Sequence, residues 1–320
     1  MADLLVSVII PAYRRPELLE PAIRSVLAQD IDPALYEVIV VDSSPDDTNA
    51  TLVASFQRES RCPLRCLTKP PEGPGPSRNL GARSAKGRFL AFMDSDCQAA
   101  PHWLRSGIAA FQENTGLVQG RTIPEPGAPH SAFNRYIAVE QETLIYETAN
   151  IFYRREAFEQ AGGFLADLLP EAEACIGGED TDLAWKVKRA GWRSHFASDA
   201  LVTHAVVRMK LWRWFVDPPL YICPLIVRRY PEVRRMFFLK YFYNRTHALL
   251  LLVFAGIGLS FVSLWFLALI IPYVIVRTSE PSRTLRGPLH VLRMMIYLPR
   301  DLSALALLVA GSIRYRSLLL

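Results

Sequence analysis

The sequence predicts an α/β domain with a mostly parallel central sheet over residues 1–205. Basic, aromatic interfacial helices follow at 206–245, and a membrane-embedded region with transmembrane helices at 246–320. Three observations carry this reading. Short, largely apolar runs alternate with segments of helical spacing through the first hundred residues, the pattern of a doubly wound sheet. Asp42, Asp94 and Asp96 each follow one of those runs, where open α/β sheets bind ligands. The charge is also divided: residues 1–205 carry 20 Lys and Arg against 27 Asp and Glu, and residues 206–320 carry 16 against 4.

Val6–Ile10 has the length and content of a buried strand. Glu17–Ala28 places Leu18, Leu19, Ala22, Ile23, Val26 and Leu27 at helical spacing. Glu37–Val41 is a second buried strand, stopped by Asp42-Ser43-Ser44-Pro45, and a helix over Asp47–Arg58 follows. Leu64–Thr68 is a third strand. The Pro/Gly loop Pro70–Pro76 leads into a helix at Ser77–Ala85, and Phe89–Met93 is a fourth strand. Residues 97–205 are less regular, with helices expected at Trp103–Asn114, Arg155–Ala161 and Glu179–Ala190 and a strand at Thr148–Tyr153.

With 51% hydrophobic and 21% charged residues, the chain is neither disordered nor collagen-like. Its five cysteines, Cys62, Cys66, Cys97, Cys175 and Cys223, form no disulfide framework and suit a reducing compartment. Asp3 stands where a signal peptide would need basic residues, so the front half is expected to stay in the cytoplasm. Residues 208–245 interleave nine Lys and Arg with Trp212, Trp214, Phe237, Phe238, Tyr241, Phe242 and Tyr243, a composition suited to anionic lipid rather than nucleic acid. Ala248–Val276 is 29 residues without a charge, breakable at Gly256, Gly258 or Pro272, and the Arg-rich tail beyond it favours the cytoplasmic side. Leu302–Ile313 is apolar but too short to cross alone. A hairpin or re-entrant break is expected near Gly256–Ser263.

Asp94-Ser95-Asp96 puts two carboxylates one residue apart after a buried strand. Hard cations such as Mg2+ or Mn2+ take such oxygen donors together with phosphate, although the same triplet also suits an ordinary turn. Upstream, Gly73-Pro-Gly-Pro-Ser-Arg-Asn79 is a glycine-containing loop entering a helix, a favourable place for phosphate, and Arg78 can pair with a diphosphate. There is no Walker-type G-K-[ST]. Glu179-Asp180 follows two glycines and offers a general base. Those acids, with Asp182, would also complement a helix dipole.

Taken in order, Val6-Ser-Val-Ile-Ile-Pro-Ala-Tyr13, Glu37-Val-Ile-Val-Val-Asp42-Ser, Gly75-Pro-Ser-Arg-Asn79, Phe89-Leu-Ala-Phe-Met-Asp94-Ser-Asp96 and Gly177-Gly-Glu-Asp180-Thr-Asp-Leu183 resemble the family 2 glycosyltransferases over residues 5–205. The resemblance implies a GT-A fold. It implies that Pro11, Ala12, Tyr13 and Asp42 hold the base and ribose of a nucleotide sugar, with Arg78, Asp94 and Ser95 completing the donor site. Asp96, with Asp94 and His204, would hold the metal, and Asp180 beside Glu179 would be the catalytic base. Asn150 and Gly163 match a segment on the acceptor side. Lys210-Leu-Trp-Arg213-Trp214 resembles the Q-x-x-R-W of processive synthases with Lys in place of Gln. Processivity is not expected from so few spans, and Arg213 and Trp214 are assigned to an acceptor phosphate or lipid head group.

The function expected is a membrane-associated inverting glycosyltransferase at the cytoplasmic membrane. It would use a nucleotide-sugar donor, Mg2+ or Mn2+, a lipid-linked or saccharide acceptor and membrane lipids, and no nucleic acid. Two alternatives stay open: transfer to a polyprenyl phosphate, which needs no base, and a non-catalytic nucleotide-sugar-binding membrane scaffold.

Overall fold

The computed structural model describes residues 4–128, 133–165, 178–279 and 290–320. Cys175, Gly177, Arg283 and Arg286 lie outside the described residues. The chain forms two compact units, the first made of residues 1–128, 136–171 and 178–207 and the second chiefly of residues 208–320.

The first unit is built on an eight-stranded sheet. Its strands are β1 (Val6–Ala12), β2 (Tyr36–Asp42), β3 (Leu64–Thr68), β4 (Phe89–Met93), β5 (Cys97–Ala99), β6 (Thr115–Pro124), β8 (Asn150–Arg154) and β9 (Arg193–His204). Two short strands, β7 (Asn134–Arg135) and β10 (Val207–Arg208), lie outside it. The order is β3-β2-β1-β4-β8-β6-β9-β5. The first four are mutually parallel, as their apolar runs imply: every residue of β2 and β4 is buried, and both-face burial is what parallel strands require. Four helices fill the connections in this half and beyond it: α1 (Pro16–Leu27), α2 (Thr48–Gln57), α3 (Pro74–Ser84) and α4 (Trp103–Ala109). α1 turns Leu19, Ala22, Ile23 and Val26 inward, each burial worth about 1.5–3 kcal/mol for the larger side chains.

Beyond β4 the sheet changes character. β8 runs antiparallel to β4 and β6, and β6 and β9 pair in parallel. Here the structure is more regular than the sequence suggested. β6 hides its strand pattern because buried Gln119 and Thr122 interrupt it; Gln119 is satisfied by Thr143 and Glu147. α3 begins at Pro74, so the last three residues of the expected loop, Pro74–Pro76, are already helical, and α4 stops at Ala109 rather than Asn114. α5 (Arg155–Gln160) and α6 (Glu179–Arg189) complete the unit.

The second unit is helical: α7 (Leu211–Phe215), α8 (Cys223–Arg229), α9 (Arg245–Leu259), α10 (Ile271–Ser279) and α11 (His290–Tyr315), with 3-10 turns at Pro218–Tyr221, Pro231–Met236 and Leu264–Ile270. The uncharged run reverses direction after Leu259, within the expected break. Leu302–Ile313 belongs to the longer α11, which continues through Pro299. Its stretch Ile296–Tyr315 is, among the described residues, the one helix long and apolar enough to cross a membrane by length and composition. Trp214, expected to face acceptor or lipid, is instead buried: Phe133, Phe215 and Tyr297 surround its ring and the Arg300 guanidinium lies 5.0 Å from it. Edge-to-face and tilted contacts between such rings add to what burial of the ring contributes. Arg213 is exposed, against the Trp212 ring.

Candidate active site

Parallel pairing brings three strand ends to one edge of the sheet. Ala12 is level with Asp42, and Ile9 with Phe92, so Pro11 and Ala12 end beside the start of the Asp94–Asp96 turn. After β1 the backbone turns sharply through Arg14 and Arg15, both at positive φ (55° and 58°), and leaves the Tyr13 ring exposed. Asp42 is buried. Its Oδ1 accepts from Ser44 N (3.0 Å), Ser44 Oγ (2.6 Å) and Asn49 Nδ2 (3.0 Å), which stiffens the loop after β2. Ser95 occupies the turn between β4 and β5, partly exposed.

Arg78, near the start of α3, is 4% exposed and joins three acids from two distant stretches of chain. Its Nη2 donates to Asp94 Oδ1 at 2.8 Å; Nη1 donates to Glu179 Oε1 at 3.3 Å and stands 3.5 Å from Asp180 Oδ1. Burial works against its charge, but Asp94, Asp180 and Glu179 outweigh that and hold the guanidinium still more firmly protonated. This corrects the expectation that Arg78 is free to meet a diphosphate. A buried cation needs counter-charges, and here the protein supplies them.

Glu179 and Asp180 open α6, whose N-cap Gly178 has φ 88°, a left-handed conformation that glycine adopts without strain. Asp182, in the same turn, pairs with Lys186 at 2.7 Å. Asp180 Oδ2 accepts from the backbone N and the hydroxyl of Thr148, both at 3.0 Å. Its Oδ1 is buried and has no hydrogen-bond partner among the described residues. Burial first, and then the charge of Glu179, push the Asp180 carboxyl up to about 7, against the opposing pull of Arg78 and Thr148. A carboxyl poised there takes and releases a proton near neutrality.

Asp96 and His204 come together across the sheet, because β5 pairs with β9 and places Cys97 level with His204. His204 Nε2 lies 3.6 Å from Asp96 Oδ1. His204 Nδ1 lies 2.7 Å from the Ala205 carbonyl oxygen; in the neutral ring it donates there, and Nε2 is left as an acceptor directed at Asp96. Cys97 completes a group whose ligating atoms lie within 4.8 Å of one another. Burial raises the Asp96 carboxyl, and Asp94 adds to this while His204 opposes it. The Cys97 thiol is pushed well above its usual range by burial and the two neighbouring acids, so it stays protonated. The usable donors are therefore a carboxylate and an imidazole nitrogen, a set that fits Mn2+ or Mg2+ with phosphate oxygens in the remaining positions.

Asn150 is not free to line an acceptor site. It is buried: Oδ1 accepts from Trp103 Nε1 at 2.8 Å, and Nδ2 donates to the carbonyls of Arg121 (2.8 Å) and Ala200 (2.7 Å). It ties three neighbouring segments together at the sheet's centre. Sequence reasoning missed Thr148 and Cys97. Neither carried a signal, since a threonine hydroxyl and a buried thiol acquire roles only from what folds against them.

A family model described as Glycosyl transferase family 2 matches residues 7–165. Among curated relatives, glycosyltransferase AglE of Haloferax volcanii is 28% identical over 209 residues, covering 62% of this chain and 66% of that protein. The pre-mycofactocin glycosyltransferase of Mycobacterium tuberculosis is 30% identical over 210 residues, covering 60% of this chain and 42% of that protein. The chain thus spans less than two thirds of the length of these relatives. Among solved structures, the mannosyltransferase PcManGT of Pyrobaculum calidifontis, in complex with GDP-Man and Mn2+, superposes with a TM-score of 0.59 at 18% identity, covering 97% of this chain and 86% of that one. TarS 1-349 of S. aureus, in complex with UDP-GlcNAc, gives 0.53 at 20% identity, covering 98% and 93%. These likenesses establish the GT-A fold.

Proposed function

Because this chain belongs to glycosyl transferase family 2, we propose that it is a membrane-associated inverting glycosyltransferase. It moves a sugar from a nucleoside diphosphate sugar, with UDP the favoured carrier, onto a lipid-linked or saccharide acceptor at the cytoplasmic face of the membrane. The observation that carries this reading is the joining of Asp180 to Asp94 through the buried Arg78, two residues from the Asp96–His204 pair.

In this reading Pro11, Ala12, Tyr13 and Asp42 border the base and ribose at the strand ends. Asp96 and His204 would hold a divalent cation, which would supply positive charge to offset that of the diphosphate. Asp180 accepts the proton of the acceptor hydroxyl. That oxygen then bonds to the anomeric carbon as the carbon–phosphate oxygen bond breaks, and the nucleoside diphosphate leaves from the opposite face with inversion. Arg78 holds Asp180 and Asp94 in mutual register. An acceptor that is already a phosphate anion would need no base, and the poised Asp180 favours a hydroxyl. The solved relatives bound to GDP-Man with Mn2+ and to UDP-GlcNAc support the donor class. The apolar, basic second unit supports attachment to anionic lipid.

The test is a panel of nucleotide sugars scored by thermal shift with Mn2+, followed by transfer to membrane extract and determination of the product anomer by NMR. Stabilisation by a nucleotide sugar, with transfer and inverted configuration, is the expected result. A retained configuration, or donor binding with neither transfer nor hydrolysis, contradicts the mechanism.

A further inference from the structure

In the helical unit the largest apolar exposures gather at one place. Between α9 and α10 the chain turns over, and Phe261 (91%), Val262 (80%), Leu264 (75%) and Trp265 (88%) stand almost fully exposed. Along the flanks of the same hairpin Phe254, Ile257, Ile271 and Ile275 are also exposed. No charge occurs from residue 246 to residue 276.

The hairpin is polarised from base to tip. At the base, Arg277 on α10 donates to Asp301 on α11, with Nε at 2.7 Å, and to the hydroxyl of Thr246 on α9 at 3.0 Å; Tyr273 donates to the same Asp301 carboxylate at 2.8 Å. This buried network locks the three helices. Towards the tip, α9 and the Leu264–Ile270 turn pack so closely that a Cβ on Gly256 would lie 2.9 Å from the Phe266 carbonyl oxygen. Part of the turn's backbone is bonded internally: Ser260 N bonds to Gly256 O, Val262 N and Ser263 N to Leu259 O, and Phe266 N to Ser263 O. The Ser260 hydroxyl folds back on Ile257 O at 2.7 Å. Each of these internal bonds lowers the cost of moving an apolar, exposed turn out of water and into lipid.

Length decides the mode. α9 has 15 residues, about 22 Å at 1.5 Å per residue, short of the ~30 Å hydrocarbon core. α11 is held within its own unit. Leu308 is fully buried with Leu220 and Val227, Gly311 packs onto the Tyr221 backbone, and exposed Arg228 donates to the Tyr315 carbonyl at 3.0 Å. These contacts tie one face of α11 to the segment before α9, whereas nothing among the described residues packs over the tip of the α9–α10 hairpin. The stretch leading into α9 exposes Lys210, Arg213, Arg228, Arg235, Lys240 and Arg245, a charge complement to anionic head groups.

We propose that residues 260–266 form a monotopic insertion tip: Phe261, Val262, Leu264 and Trp265 enter one leaflet of an anionic bilayer and the hairpin does not cross it. This rests on the membrane-associated reading above and specifies its lipid partner and depth. The full-length chain is floated with phosphatidylcholine vesicles and with vesicles enriched in phosphatidylglycerol. The parent should bind both, the anionic ones more tightly. A combined F261S, V262S, L264S, W265S variant, altered only at exposed positions, should lose more than ~100-fold in partitioning. An Arg235→Glu, Lys240→Glu variant should lose about tenfold on anionic vesicles only. Trypsin outside sealed proteoliposomes should cut on both sides of the hairpin. Equal partitioning of the tip variant, or a fragment protected in the lumen on one side only, overturns the proposal. So does a parent that ignores vesicles but forms a dimer that the tip variant dissolves, which would make a second copy the occupant. Calorimetry with Mn2+ and a nucleotide sugar separates the two readings. Loss of vesicle binding with donor binding intact leaves the catalytic reading standing, and vesicle binding without any donor binding leaves the tip standing alone.

Discussion

Arg78 Nη1 lies 3.5 Å from Asp180 Oδ1, although the two residues are 102 positions apart in the chain, and the same guanidinium binds Asp94 at 2.8 Å. One buried cation therefore couples the start of α6 to the end of β4. The acid expected to take a proton and an acid expected beside the metal share a counter-charge.

Asp180→Asn keeps the volume and removes the base. Transfer should fall by ~10²–10⁴-fold while donor binding survives, as measured by a transfer assay beside calorimetry with donor and Mn2+. Near-normal transfer would reduce Asp180 to a helix-start carboxylate.

Asp96→Asn should act differently. Asp96 would hold a metal whose charge would offset the diphosphate both in the bound donor and during transfer, so metal-dependent donor binding and transfer should weaken together. Donor titrations with and without Mn2+ read this directly; donor binding that keeps its full metal dependence would exclude Asp96 as a ligand.

The pH profile follows from the direction of the Asp180 shift. Its carboxyl is raised to about 7, so below that pH it is protonated and cannot act as a base. The rate at low substrate should climb tenfold per pH unit towards neutrality and level off above it, and Asp180→Asn should abolish this limb. A profile flat from pH 5 to pH 8 in the parent would contradict the base role.

Arg78→Gln leaves Asp94, Glu179 and Asp180 without their cation. Loss of one partner of a buried charge cluster costs about 3–5 kcal/mol, read as a lowered denaturation midpoint. Adding Asp180→Asn to Arg78→Gln should recover part of that loss, since it removes one of the stranded charges. If Arg78→Gln alone melts like the parent, the cluster does not contribute as described.

Much of this protein is legible in its residue order. Largely apolar runs become the parallel strands β1, β2 and β4 because burial on both faces favours that pattern, and acids directly after such runs lie at the sheet's carboxyl edge. The break in the uncharged segment was visible in Gly256 and Gly258, which weaken a helix that no charge anchors, while Pro272, the other candidate, sits at the start of α10 instead. Tertiary structure decided the rest. Arg78 looks like a diphosphate ligand until folding surrounds it with three carboxylates, because a sequence does not record which charges meet after a hundred residues. Asn150 looks like an acceptor contact until its amide is spent on three internal partners. Trp214 looks interfacial until aromatic neighbours from distant segments close over it. Local sequence sets which backbone form and which face are favourable. Burial and the pairing of charges depend on contacts between distant segments, and those exist only once the chain has closed on itself.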